Sequence, residues 1–242
     1  VEQSGSNKVF DSNVGWHNNN GYDWYISHMW KRGAGFDVVT WTGTNSSVQR
    51  RHSLGKTPEM IWFKNRSATR DWKVYHKGLN GGTNPEDYVV DLNQSNSQAS
   101  NTSYMTGTAP TSTTFVAGND DDTNGSGYNY VAYLFASAND AEGNPISKVG
   151  SYSGSSSSVT VTTGFQPRFV IIKRATGVGQ WTVFDTFRGW TAGNDQMLEL
   201  SDTAAQSNSF DYGEPTATGF TITTGQSATN NNGDTYLYYA HA

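Results

Sequence analysis

The chain has 242 residues, of which 34% are hydrophobic, enough for one large β domain or two smaller ones. Aromatic content is 13%, from 8 Trp, 13 Tyr and 11 Phe, so core volume comes largely from rings rather than aliphatic side chains. Charged residues are only 15%, the net charge is −5 and there is no Cys, which excludes disulfides, zinc-thiolate sites and Cys nucleophiles.

The basic residues come as isolated pairs, Lys31–Arg32, Arg50–Arg51 and Lys173–Arg174. Phosphate-backbone binding needs a cluster, so no nucleic acid partner is expected. The first residue is Val1 and no apolar leader follows, so the N-terminus reads as cut or processed. The longest apolar-rich run, YVAYLFASA at 130–138, is far too short for a membrane-spanning helix, and no membrane insertion is expected.

Taken in chain order, the first element is GYDWYISHMWKRG at 21–33. It follows a run of Asn and reads like the last strand of a domain, although it stands near the start. Residues 1–32 are therefore expected to be the last strands of a preceding repeat. Residues 33–137 hold a first full set of strands. In EMIWFKNR, Met60, Trp62 and Lys64 face one way, and Ile61, Phe63 and Asn65 the other. Residues 138–147 read as a short polar linker. Residues 148–242 hold a second set, in which Val159 and Val161 alternate with Thr160 and Thr162. Short helical turns are expected around 93–101 and 202–207.

The two sets align block by block. Trp41 matches Tyr152 and Gly43 matches Gly154. Pro58 matches Pro167, Lys64 matches Lys173, Trp72 matches Trp181, Tyr75 matches Phe184 and Phe115 matches Phe220. The offset drifts only from 111 to 105. The strand-start tyrosines Tyr25, Tyr130 and Tyr236 recur after Asn/Gly turns. Such self-similarity points to internal duplication. Strand-forming residues bounded by Gly, Asn, Ser and Asp clusters, with no sustained helical periodicity, give the fold class as all-β: tandem antiparallel β-sandwich, jelly-roll-like repeats. Aromatic residues on both sides of YVAYLFA and YLYYAHA imply strands buried on both faces, for which subunit contacts in a homo-oligomer are the expected source.

The stretches YISHMWKRGAGFDVVTWTG, TPEMIWFKNRSATRDWKVYHKGL, APTSTTFVAGND and NYVAYLFA resemble an uncharacterised repeat domain of tailed-phage virion proteins, especially of marine and cyanobacterial phages. The resemblance covers nearly all of residues 20–242. It implies a β-rich structural module on a virion surface, in a tail-fibre or other adhesin context, with other virion proteins as partners. It carries over no catalytic residue.

The residues themselves offer few chemical constellations. His17, His28, His52, His76 and His241 have no metal-like partner at i+2 or i+4. GSYSG at 150–154 has Tyr where a nucleophile elbow needs Ser. Asp71, Glu86, Asp87, Asp91, Asp185 and Glu199 are available for glycoside cleavage, but no spacing brings two together. No enzyme is expected and no catalytic residue is assigned. In DDDTNG at 120–125, Asp120, Asp122 and Asn124 fit the first half of a calcium loop, but Val131 stands where the closing Glu belongs. They are the candidate metal ligands, with calcium the only cofactor in question. Trp16, Tyr22, Tyr104, Trp190 and Tyr212 lie in or near loops, where rings can stack on sugars. Of these, Tyr104, Trp190 and Tyr212 are the candidate ligand-binding residues. The expected function is a non-enzymatic virion structural protein, a fibre or appendage in host attachment. The alternatives are a glycan-binding receptor-recognition module for host surface sugars and a capsid decoration or head-fibre protein.

Overall fold

The computed structural model describes residues 28–242 in full, together with the backbone of β1 (Lys8–Val9) and β2 (His17–Asn18), which pair antiparallel. The chain divides into two compact units, Val1–Lys31 and Arg32–Ala242. The tail of a preceding repeat expected at 1–32, with Trp16 and Tyr22, lies almost wholly outside the described residues.

The second unit is all-β and sandwich-like, built from antiparallel sheets. Its first half contains β3 (Phe36–Thr42), β4 (Val48–Arg51), β5 (Met60–Asn65), β6 (Lys73–His76), β7 (Tyr88–Asp91), β8 (Ala99–Ser100), β9 (Thr114–Ala117) and β10 (Asn129–Phe135). Its second half contains β11 (Ala138–Asn139), β12 (Pro145–Ser153), β13 (Val159–Thr162), β14 (Phe169–Arg174), β15 (Trp181–Asp185), β16 (Leu198–Glu199), β17 (Pro215–Thr216), β18 (Gly219–Ile222) and β19 (Thr235–His241).

Each half has one large sheet and one small one. The large sheets run β3-β10-β5-β6-β7-β8 and β11-β12-β19-β14-β15-β16. The small ones are β4-β9 and β13-β18-β17. The pairing registers agree under the offsets read from the sequence. Tyr130 sits opposite Trp41 and Asn65, and Tyr236 opposite Tyr152 and Arg174. Met60 pairs with His76, and Phe169 with Asp185. Val48 pairs with Ala117, and Val159 with Ile222. A slip of one residue would turn every side chain to the other face, so this agreement fixes which face each aligned pair occupies.

Alternation then sorts the side chains. In the first half, Ile61, Phe63, Tyr75, Ala132 and Leu134 point toward the small sheet and pack with Phe115 and Tyr104. In the second, Val170, Ile172, Phe184, Tyr238 and Ala240 do the same against Phe220. The opposite faces of the large sheets are also apolar and buried: Met60, Trp62, Val74 and Phe135 in one, Ile171, Val183, Leu237 and Tyr239 in the other. These faces meet. Phe135 and Tyr239 have ring centroids 5.0 Å apart, and the His76 ring reaches the Tyr238 carbonyl oxygen at 3.3 Å. The burial on both sides of β10 and β19, for which subunit contacts were expected, is supplied here by the other half of the same chain.

Two local expectations differ from the structure. Residues 138–147, expected as a short polar linker, fold as a β-hairpin: Ala138 pairs with Ser147, and the Asp140 carboxylate accepts from the amides of Glu142 and Asn144. The helical turns fall elsewhere, as short 3-10 turns at Leu79–Gly82, Pro85–Asp87 and Thr186–Arg188. Local chemistry explains the shift. Asn80 and Gly81 accept positive φ, Pro85 supplies a fixed φ, and Asp185 caps the amide of Phe187. The Ala/Ser/Gln runs at 93–101 and 202–207 have no apolar face to pack and stay extended or in turns.

Candidate interaction site

The candidate metal ligands occupy the turn before β10. Asp120 spends its carboxylate on local turn bonds: Oδ1 accepts from the Asp122 amide at 2.7 Å, and Oδ2 from Asn101 Nδ2 at 3.3 Å. Asp122 lies 3.3 Å from Lys73 Nζ, which also pairs with Asp91 at 2.9 Å. Burial pushes the Asp122 carboxyl up, and Lys73 opposes that shift. Asn124 is fully buried. Its Oδ1 accepts from the Thr44 amide at 3.3 Å and from Arg50 at 3.1 Å, while its Nδ2 donates to the Ser46 carbonyl at 2.6 Å. The three side chains therefore turn to three different partners, and an ammonium already stands between Asp91 and Asp122. The donor set does not fit a calcium ion. Among the described residues no cluster of three or more His, Asp or Glu side chains is arranged to hold a metal.

The turn has instead a structural task, repeated in the second half. Asn230 Oδ1 accepts from the Ser155 amide at 2.7 Å, and its Nδ2 donates to the Ser157 carbonyl at 2.9 Å. Tyr130 Oη accepts from the Gly125 amide and donates to the Asp121 carbonyl; Tyr236 Oη accepts from the Asn231 amide and donates to the Ser227 carbonyl. Trp41 stacks on Tyr130 at 5.5 Å and Tyr152 on Tyr236 at 5.1 Å. Each Asn ties the turn before the central strand to the end of its neighbour. Each approach is so close that a Cβ on Gly43 or Gly154 would lie 2.1 Å from a carbonyl oxygen of that turn.

The candidate ligand-binding rings are not available to a ligand. Tyr104 is 0% exposed, Trp190 1% and Tyr212 5%. Tyr104 donates to the Tyr88 carbonyl at 2.6 Å and meets Phe63 edge-on. Trp190 and Tyr212 both pack on Phe184, at 5.6 Å and 5.4 Å. The correction has a simple cause. A core poor in aliphatics recruits rings from loops to plug the ends of each sandwich, so a loop position does not imply an exposed ring.

The most elaborate polar arrangement lies where the two halves meet. The loop after β7, residues 91–98, lies against the turn between β14 and β15. Trp181 Nε1 donates to the Asp91 carbonyl at 2.8 Å. Lys173 Nζ donates to the Ser95 carbonyl at 3.0 Å and to the Gly179 carbonyl. The Gly179 amide donates to Ser95 at 2.8 Å, and the Gln98 amide to Ala175 at 2.7 Å. Burial pulls the Lys173 pKa down to about 8, against the nearby Asp91 carboxylate, which raises it. The ammonium is thus retained at neutral pH, held by carbonyls. At the other end His76 is fully buried. Its Nδ1 accepts from the Gly78 amide at 2.9 Å, which leaves Nε2–H to donate to Tyr238. Burial lowers its pKa to about 4, with the Tyr238 carbonyl opposing, so the imidazole is neutral.

One family, Domain of unknown function (DUF7483), matches residues 11–242. The chain belongs to it. No curated protein and no solved structure matches the chain. The DUF7483 match spans both large sheets, both small ones and the contact between the halves. Among the described residues of this DUF7483 chain no helix is long and apolar enough to cross a membrane.

The contact between the halves was not legible as a site. Its signal was present in EMIWFKN and FVIIKR, where both alternating faces are apolar and a lysine ends each run. A strand with two apolar faces needs two layers of cover. The sequence does not say which surface supplies the second.

Proposed function

We propose that the protein is a non-enzymatic structural module of a tailed-phage particle, in a fibre or appendage used in host attachment, built from a duplicated β-sandwich unit. The observation that carries the reading is the agreement of strand order and pairing register between the halves, joined through an aromatic-rich contact. Such a body suits load-bearing or spacing. The resemblance of TPEMIWFKNRSATRDWKVYHKGL and its companion stretches to phage virion repeats supplies the particle context. The glycan-recognition alternative loses its support, because the three rings nominated for it are packed in cores.

The test is made on particles. Purified virions from a phage encoding the chain are expected to contain it by mass spectrometry, with antibody labelling on an external projection and slowed adsorption in its presence. Absence of the chain from intact, infectious particles would overturn the assignment.

A further inference from the structure

The contact between the halves is not reciprocal. The loop at 91–98 of the first half seats on the Lys173, Trp181 and Gly179 surface of the second. If the halves were related by a two-fold axis, the matching loop of the second half, 199–206, would seat on Lys64, Trp72 and Arg70 of the first. It does not. Both unused surfaces are nevertheless built to the same pattern. Lys64 Nζ donates to the Arg70 carbonyl at 2.5 Å, as Lys173 does to Gly179, and lies 5.6 Å from the Trp72 ring centroid. The Leu200 amide donates to the Trp181 carbonyl and Ser201 Oγ accepts from the Trp181 amide, as Leu92 and Asn93 do with Trp72.

Exposure follows the asymmetry. Lys173 and Trp181 are buried, whereas Lys64, Trp72 and the neighbouring Tyr133 are half-exposed. Val90 and Leu92 are buried beneath the second half, whereas their counterparts Leu198 and Leu200 are half-exposed. Phe187, in the 3-10 turn after β15, is 86% exposed. Within the described residues Trp72 Nε1 and the Gln206 backbone N–H have no hydrogen-bond partner, whereas Trp181 Nε1 and the Gln98 backbone N–H are satisfied across the contact. Charge matches as well. Asp91 acts on Lys173 across the seated contact, and the loop offers Glu199, in no ion pair among the described residues, to Lys64, whose charge also acts on Asp71.

We propose that these two surfaces dock on each other between molecules: the 199–206 edge of one copy seats on the Lys64–Trp72–Tyr133 surface of a second copy of this chain, repeating the loop-to-surface part of the contact already made inside it, while the apolar sheet faces stay covered within each chain. Trp72 Nε1 then meets the Glu199 carbonyl, and Lys64 Nζ the Thr203 carbonyl. A contact of this heterologous kind leaves one donor edge and one acceptor surface open at the ends, so assembly proceeds head to tail, closing into a ring or growing as a filament. The inference stands on the geometry of the contact and does not need the particle assignment.

The experiment is sedimentation velocity of the full chain over a concentration series, with two variants. Ala204→Arg/Ala205→Arg places bulk and positive charge on an exposed loop. Trp72→Ala removes the acceptor ring, and Lys64→Glu serves if that variant loses its native circular dichroism. The expected result is a mass that rises with concentration beyond a dimer for the parent chain. Each variant alone is then monomeric, and an equimolar mixture of donor and acceptor variants stops at a dimer, since one intact contact remains. A parent chain that stays monomeric at every concentration overturns the proposal, as does a mixture that fails to pair. If removing residues 1–31 is what allows association, the acceptor surface is covered by the chain's own N-terminal residues, and the proposal also fails.

Discussion

Asn124 and Asn230 show how much of the fold hangs on single buried amides. Each accepts a backbone amide from the end of the neighbouring strand and donates back to a carbonyl two residues on. Alanine at either position removes a buried amide and leaves those part-buried backbone groups without their partner. The expected cost is about 1–2 kcal/mol each, read as a lowered urea midpoint at an unchanged slope. A loss of only a few tenths would show that the turn is held by Tyr130 and Tyr236 alone. Gly43→Ala and Gly154→Ala act at the same seam, since the new methyl would lie 2.1 Å from carbonyl oxygen. The Asn/Gly pattern of these turns was plain in the sequence, and so was its recurrence. Its purpose was not, because D-x-D-x-N-G chemistry reads identically whether the side chains converge on an ion or diverge to backbone partners.

His76 gives the residue scale its pH dependence. Its pKa in the folded chain is about 4, below the ordinary 6.5, because burial disfavours the cation. The unfolded chain therefore binds the extra proton first. Stability from this residue is fully present above pH 6.5 and is lost as pH falls from there toward 4. The loss amounts to roughly 3 kcal/mol over that window. His76→Asn keeps an acceptor for the Gly78 amide and removes the titration. Urea midpoints measured from pH 7.5 to 4.5 are expected to fall less steeply for this variant than for the parent. Parallel slopes would mean that His76 is solvated and titrates normally.

Among the elements, two loops at matching positions of the two halves behave differently because only one has a seat. Loop 91–98 is held by three backbone or side-chain donors from the second half, whereas the bonds of loop 199–206 among the described residues all stay within its own half, to Trp181, Gln180, Arg188 and Gln196. Hydrogen exchange at low protein concentration is expected to show a protected Gln98 and Gly179 and a fast Gln206. Lys173→Met tests the mechanism of that protection. It removes a buried charge but leaves the Gly179 carbonyl without its donor and the Ser95 carbonyl with the Gly179 amide alone, so exchange at Gln98 and Gly179 should accelerate while β10 stays protected. Unchanged exchange there would assign the seat to apolar contact alone. The strands were legible because alternation, turn residues and β-branched or aromatic content all agreed. The 3-10 turns and the 138–147 hairpin were not. They depend on positive φ at Asn80, a fixed φ at Pro85 and an Asp140 turn, and composition does not rank such local bonds.

The whole second unit is a stack in which each large sheet lies between its own small sheet and the other large sheet. The ordered blocks of matching residues were readable, and the pairing registers of the two halves fall on those blocks. The facing of the two large sheets was not readable. Period-two alternation tells which side chains share a face, but not whether the cover comes from the same chain or another copy. The two apolar faces of EMIWFKN and YVAYLFA fitted either arrangement. Phe135 against Tyr239 and His76 against Tyr238 decide for the same chain.

The central claim is that each large sheet is completed by the other, so neither half is independently stable. Hydrogen exchange followed by mass spectrometry under rising urea tests this most directly, using peptides that cover β5 and β10 in one half and β14 and β19 in the other. The account predicts that all four strands open in one cooperative step, with the same dependence on urea. Opening of one half at distinctly lower urea, while the other keeps its full protection, would contradict it.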